Sequence, residues 1–343
     1  MYIKAFGRQP SGPRLERIKR SPHYREDHFQ NLAETSLIAK DASYIRMTLE
    51  FFSKGKDREP TRDIPSVKTN LKQLPASPSI IWFGHSSYLL HYGEKNILVD
   101  PVFSKRASPV PFAGSKSYPG TSAYSAKDLP DIDVLLITHD HYDHLDYNTI
   151  VTLKEKVKQF ITPLGVGAHL SHWGIADEKI VELDWWEHVP LFHDTSITAT
   201  PARHFSGRGL VRNKTLWTSY VLTTPDHKLF IGGDSGYDST FKTIGEKFGP
   251  FDVAILECGQ YDLQWPQIHM MPEETVQAAM DLKARVLMPV HWGKFTLALH
   301  AWHDPIERAL KHARQLGVTV TTPRIGEPVI LGNTLPASPW WNT

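Results

Sequence analysis

Val134-Leu135-Leu136-Ile137-Thr138-His139-Asp140-His141-Tyr142-Asp143-His144 is an apolar run that ends in a cluster of metal-ligand side chains. Residues 134–138 read as a buried strand. In an extended segment, alternation points His139 and His141 the same way. Asp143 and His144 then lie in the tight turn beyond. Ligand-type side chains therefore leave one rigid strand edge in quick succession. Imidazoles with a carboxylate suit zinc, and also manganese or iron. One ion rarely takes four ligands so closely spaced, so the pattern points to sharing between two ions. The competing reading is a histidine-rich surface turn. An apolar strand feeding directly into this spacing argues against it.

A two-ion site needs ligands from elsewhere, and the chain offers three more at strand ends. His204 follows Ile197-Thr198-Ala199-Thr200-Pro201-Ala202-Arg203. Asp234 follows Phe230-Ile231-Gly232-Gly233, and His291 follows Val286-Leu287-Met288-Pro289-Val290. Each alone reads equally well as a solvated strand-end residue. Their repetition makes them a set.

The bulk numbers allow a large enclosing fold. A chain of 343 residues fits two ordinary domains or one large layered domain. Its apolar content of 41% is enough for a sizeable core. A net charge of +1 gives no basic excess for nucleic acid and no acidic solvating tail. The single cysteine, Cys258, excludes an intramolecular disulfide and any multi-cysteine metal site. It follows Val253-Ala254-Ile255-Leu256 and reads as a buried core residue. Met1 to Arg8 lacks the apolar core of a secretory signal, and no apolar run is long enough to span a membrane. A soluble, cytoplasmic protein is the expectation.

Three segments are expected. Residues 1–75 are polar and proline-punctuated, and read as an N-terminal extension packed on the main domain. Leu32, Leu37, Ile45, Leu49, Phe51 and Phe52 argue against full disorder there, and Lys54 to Pro60 reads as an exposed loop. Residues 76–335 carry the strand and helix signals, and 336–343 form a C-terminal tail. Runs at 80–83, 87–90 and 96–99 suggest antiparallel hairpins. The spacing of Ile150, Leu153 and Val157 predicts an amphipathic helix from Leu145 to Phe160. Later strands are expected at 196–200, 216–222, 228–231, 253–256 and 286–290. Helices are expected to start at Pro272-Glu273-Glu274 and at Asp304-Pro305, the second stopping at Gly317. Two sets of strands, each followed by helices, suit an α/β fold: a four-layer αββα sandwich.

The ordered set Thr-His-x-His-x-Asp-His, then His, Asp and His, resembles the metallo-β-lactamase superfamily. Closer wording resembles its N-acylphosphatidylethanolamine-hydrolysing phospholipase D branch. The wording lies in Trp82 to Ser87, Asp100-Pro101-Val102-Phe103-Ser104, Ile137 to Asp146, Pro201 to His204, Leu216 to Ser219, Gly233 to Tyr237, Phe248 to Asp252 and His291-Trp292-Gly293. The resemblance implies two zinc ions. His139, His141 and His204 would hold one, Asp143, His144 and His291 the other, and Asp234 would bridge them around a shared hydroxide. It also implies a homodimer and leaves peripheral membrane contact open.

Catalytic roles are expected of Asp143, His269 and His85. Asp143 would orient the nucleophile as well as bind metal. His269 would donate to substrate or leaving group, or be an exposed loop histidine. His85 would touch substrate or a ligand, or be a core histidine. Asp100 would hold a ligand histidine through its second ring nitrogen. Trp185, Trp186, Tyr261, Trp265, Met270, Met271, Trp292 and Phe295 would line an acyl groove or, for most of them, fill the core. Arg208 and Arg212 would meet a phosphate or be solvated, and Trp340 and Trp341 would dock on the body or a partner. The expected function is a phosphodiesterase of phospholipase D type acting on a lipid or small-molecule phosphodiester. A lactonase or carboxylic ester hydrolase, and a non-catalytic metal-binding module, are the alternatives.

Overall fold

The computed structural model describes residues 2–40, 49–50, 57–333 and 335–342. Ile45, Phe51, Phe52 and residues 54–56 of the expected loop lie outside them. Two mixed sheets form the frame. The first runs Ile180–Leu183, Val157–Pro163, Ile132–Leu136, Lys95–Val99, Tyr88–Tyr92, Ser79–Trp82, Pro328–Ile330. The second runs His188–Pro190, Ser196–Thr200, Ser219–Thr223, Lys228–Ile231, Phe251–Glu257, Ala284–Val290. Each joins an antiparallel meander to a set of parallel strands.

Alternation along the strands sorts side chains into layers. On Phe251–Glu257, Val253 and Ile255 join Leu98, Leu135 and Ile161 in the core between the sheets. Ala254 and Leu256 face the other way and pack with Ile244, Val276 and Ala309. Those come from the helices Thr240–Phe248, Pro272–Asp281 and Asp304–Leu316. The shorter helices Tyr147–Leu153 and Gly167–His172 bury Ile150, Leu153 and Leu170 against the first sheet. This is the expected αββα sandwich. Gly317, left-handed at φ 71°, ends Asp304–Leu316 as its position suggested.

Two expectations need correcting. The helix predicted to reach Phe160 ends at Leu153, and Val157–Pro163 is an inner strand, parallel to Ile132–Leu136. Val157, Phe160 and Ile161 are buried as strand residues; a short apolar pattern with lysines between fits either period. The strand expected from Leu216 begins at Ser219. Residues before it bond outside the sheet ladder, Leu216 N to Leu164 O at 2.8 Å and Thr218 N to Thr138 O at 3.0 Å.

The N-terminal residues pack onto this frame. Ile18, from the helix Gly12–Ile18, and Phe29 are fully buried beside Leu164, Trp185, Leu216 and Trp217. Of the apolar residues singled out in this region, Leu32 and Leu49 are exposed and Leu37 is half-buried. At the other end, Trp340 stacks on Trp292 at 5.0 Å, and Trp292 on Trp82 at 5.7 Å. Trp340→Ala is expected to cost about 3 kcal/mol of stability by emptying this stack, read from the denaturant midpoint at constant slope. A loss below about 0.5 kcal/mol would mean that the tail is an ornament. Among the described residues, no helix is long and apolar enough to cross a membrane.

Candidate metal centre

The chemistry-bearing residues share one edge of the sandwich because each follows a strand that points there. His85 comes after Ser79–Trp82, Asp100 after Lys95–Val99, and His139 to His144 after Ile132–Leu136. On the second sheet, His204 comes after Ser196–Thr200, Asp234 after Lys228–Ile231 and His291 after Ala284–Val290, while Glu257 ends its own strand. The apolar strands anchor the edge, and the loops carry the polar groups. Left-handed backbone recurs there, with φ 54° at His85, 40° at Asp100 and 67° at His291. Such strain persists only where the surroundings enforce it. His85 and His291 enforce it on each other: His85 N donates to Trp292 O and His291 N to His85 O, both at 3.0 Å. Gly233, at φ 61°, lets the turn before Asp234 lie on the motif strand; a Cβ there would fall 2.9 Å from Thr138 Cβ.

All seven expected ligands meet. His139, His141 and His204 form one group, with His139 Nε2 2.9 Å and His204 Nε2 3.3 Å from His141 Nδ1. Asp143, His144, His291 and His85 form a second. Asp234 lies between them. Its Oδ2 is 3.1 Å from His144 Nε2, 3.7 Å from His139 Nε2 and 3.8 Å from His204 Nε2, and its Oδ1 is 3.2 Å from His291 Nδ1.

The cluster fits a cation. His144 Nε2 and Asp234 Oδ1 are buried and make no hydrogen bond, an arrangement native interiors avoid unless something else satisfies it. Burial holds His139, His204 and His291 well below the ordinary histidine value, in the neutral form that ligates. Burial would raise the Asp234 carboxyl, but His144 beside it holds it well below the usual range. Burial and His144 act on Asp143 in the same opposed way, with the same result. His144 goes the other way: burial pulls it down, but the Asp234 and Asp143 carboxylates outweigh this and raise it well above the ordinary histidine value. Imidazoles packed around ionised carboxylates are the donor set of a divalent metal.

Outer contacts aim these rings. Asp100 Oδ2 is 2.8 Å from His144 Nδ1, as expected, and its carboxylate also accepts from Thr138 N and Oγ1 at 2.8 and 2.6 Å. His204 Nδ1 donates to Ile268 O at 2.8 Å, and His139 Nδ1 lies 3.0 Å from Thr138 Oγ1. With each Nδ1 occupied, each Nε2 faces the centre. His85 is fully buried, 2.9 Å through Nε2 from Asp143 Oδ2. His269 is only slightly exposed, and its Nδ1 is 2.6 Å from Glu257 Oε2. Burial pulls His269 down, but the Glu257 carboxylate outweighs it and the imidazole is raised. Glu257 is itself raised, by burial.

A cavity of about 340 Å³ opens over the cluster. His141, Asp143, Asp234, His269 and His291 line its floor, and Leu37, Ile38, Phe205, Trp265, Ile268 and Leu297 its walls. Of the expected groove residues, Trp265 alone is in the lining; Trp185, Tyr261, Met270, Trp292 and Phe295 are buried, and Trp186 and Met271 are half-buried. Arg212 also lines it, its guanidinium 5.4 Å from the Phe205 ring centre. Arg208 is neither a phosphate contact nor solvated. It is buried and donates to the carbonyls of Asp140 and Leu145.

Sequence reasoning missed Glu257, Asp140 and Asn31. Glu257 had a signal, a carboxylate ending the apolar run Val253 to Leu256, the same pattern that revealed Asp234. Asn31 had none, although its amide clamps the His204 backbone in both directions, at 2.8 and 3.0 Å.

This fold and this cluster define the class. The profile described as Beta-lactamase superfamily domain matches residues 95–292, and the chain belongs to that superfamily. It is a metallo-hydrolase of that superfamily with a candidate metal-binding cluster of histidines and aspartates. More particularly, it is 41% identical over 330 residues to the uncharacterized protein Rv0906 of Mycobacterium tuberculosis, covering 94% of this chain and 88% of that one. It is 34% identical over 229 residues to N-acyl-phosphatidylethanolamine-hydrolyzing phospholipase D 1 of Caenorhabditis elegans, covering 63% of this chain and 64% of the relative. Among solved structures, Igni18, a metallo hydrolase from Ignicoccus hospitalis, shares the fold at TM-score 0.58 and 20% identity, over 74% of this chain and 97% of its own.

Proposed function

We propose that the protein is a two-zinc phosphodiesterase of N-acylphosphatidylethanolamine phospholipase D type. His139, His141 and His204 hold one ion, Asp143, His144 and His291 the other, and Asp234 both. Bound there, two such ions supply a nucleophile at neutral pH and neutralise charge on a phosphoryl group. The observation that carries the phosphodiester reading is the cavity itself. An ionic floor lies beneath apolar walls, and among the described lining residues Arg212 is the one lysine or arginine. That combination suits an anionic head with aliphatic chains, and the relative from Caenorhabditis elegans is named for such a substrate.

The remaining residues have matching tasks. Arg212 meets a phosphoryl oxygen. His85 fixes the Asp143 carboxylate through its 2.9 Å contact. Glu257 holds His269 by Nδ1, leaving Nε2 to pass a proton to the leaving oxygen. Leu37, Ile38 and Leu297 flank the acyl chains.

The test is zinc-loaded protein with N-acylphosphatidylethanolamine in detergent micelles, products read by mass spectrometry. Phosphatidate and N-acylethanolamine in equal amounts are expected. Release of free fatty acid instead would replace this reading with a carboxylic ester hydrolase. No product from protein holding two ions would reject the substrate.

A further inference from the structure

The His139–His144 turn has a second side, facing away from the cluster. Alternation sends Asp140 opposite to His139 and His141, into a buried polar network. Its carboxylate accepts from Gly207 N at 2.7 Å and Thr215 Oγ1 at 2.9 Å, and meets His169 Nε2 at 3.1 Å. Arg208 brackets the turn, its Nη1 donating to Asp140 O at 2.8 Å and Leu145 O at 2.7 Å. Its guanidinium lies 4.2 Å from the Tyr142 ring centre. Both arms of this network end on the first residues of the chain. Arg208 Nη2 donates to Ala5 O at 2.7 Å, and Arg8 N donates to His169 Nδ1 at 3.0 Å. Trp173 Nε1 fixes the same segment by donating to Lys4 O at 2.7 Å. The fit leaves no spare room: Gly7 is left-handed at φ 77°, and a Cβ there would fall 2.1 Å from His169 Nδ1.

We infer that Lys4 to Arg8, acting through Arg208 and the Asp140–His169 pair, position the metal-binding turn. This segment lies far outside residues 95–292, which match the superfamily. The physical reason is that the turn carries four proposed ligands on a loop, and a loop keeps its geometry only if its other face is tied. Buried donors and acceptors with one permitted arrangement supply that tie. Arg208 suits the task because its planar fork serves two carbonyls of the turn and one of the N-terminal segment together. The inference rests on the ion-site part of the proposed function and not on the substrate.

The test measures zinc affinity directly, by competition with a chromophoric chelator, alongside the unfolding midpoint of the zinc-free protein. Full-length Gly7→Val and His169→Ala are expected to bind zinc about 10- to 100-fold more weakly. His169→Gln, which keeps a donor for Asp140, is expected to recover most of that loss. A merely structural role would lower the zinc-free midpoint of each variant and leave zinc affinity within twofold of the parent, and that result overturns the proposal. If Gly7→Val does not fold, the His169→Ala and His169→Gln pair decides alone. Failure on phosphodiesters leaves the affinity result standing, whereas a parent protein that binds no zinc overturns both.

Discussion

Asp234→Ala is expected to lower kcat/KM by about 10⁴-fold or more, about 5.4 kcal/mol of transition-state stabilisation. Its two oxygens span both groups, lying within 3.8 Å of His139, His144, His204 and His291. Removing it takes one donor from each proposed ion and the negative charge that holds them together. The variant should therefore bind fewer than two ions per chain, read by elemental analysis of dialysed protein. Asp234→Asn should fare little better, since an amide keeps one acceptor but loses the charge. The fold should survive, because Lys228–Ile231, the strand leading to Asp234, is held by neighbours on both sides. A variant that keeps two ions and works within tenfold of the parent would refute the bridging role.

Why the site could be read from the sequence, and where that reading stopped, follows from what is local. His139, His204, Asp234 and His291 each follow an apolar run, and a strand that enters a core must leave it at a sheet edge. Residues that end several such runs therefore meet at edges, and that rule is enough to group these candidate ligands. The wrapping of the N-terminus over that set follows no such rule. Asn31 and His204 are 173 residues apart, and nothing near either one announces the partner. Arg208 misled for the same reason, since a loop arginine beside glycines reads as solvated until its guanidinium is seen to meet the carbonyls of Ala5, Asp140 and Leu145. Glu257 is the instructive case. Its position after Val253 to Leu256 matches the ligand pattern, yet the carboxylate turns to His269 and two backbone amides, so strand-end position marks the site but not the role.

Glu257→Leu is the second change expected to act strongly, by about 10²- to 10³-fold in kcat, the scale of losing a positioned proton donor. The fully buried carboxylate accepts from Met270 N at 3.0 Å and Ser235 N at 3.2 Å as well as facing His269 Nδ1. Leucine would strand two buried amides, at about 1–3 kcal/mol each, so stability should fall alongside activity. Glu257→Gln separates the two effects. Its side-chain oxygen can still accept from the amides, while its NH₂ confronts His269 Nδ1 with a donor and forces the ring to the other tautomer or out of line. Stability should then be largely kept and kcat still lost. If Glu257 acts through His269, Glu257→Gln combined with His269→Ala should be no slower than His269→Ala alone. Losses that multiply instead would assign Glu257 a separate task, and the amide of Ser235, next to Asp234 in the chain, would be the contact through which it reaches the metal centre.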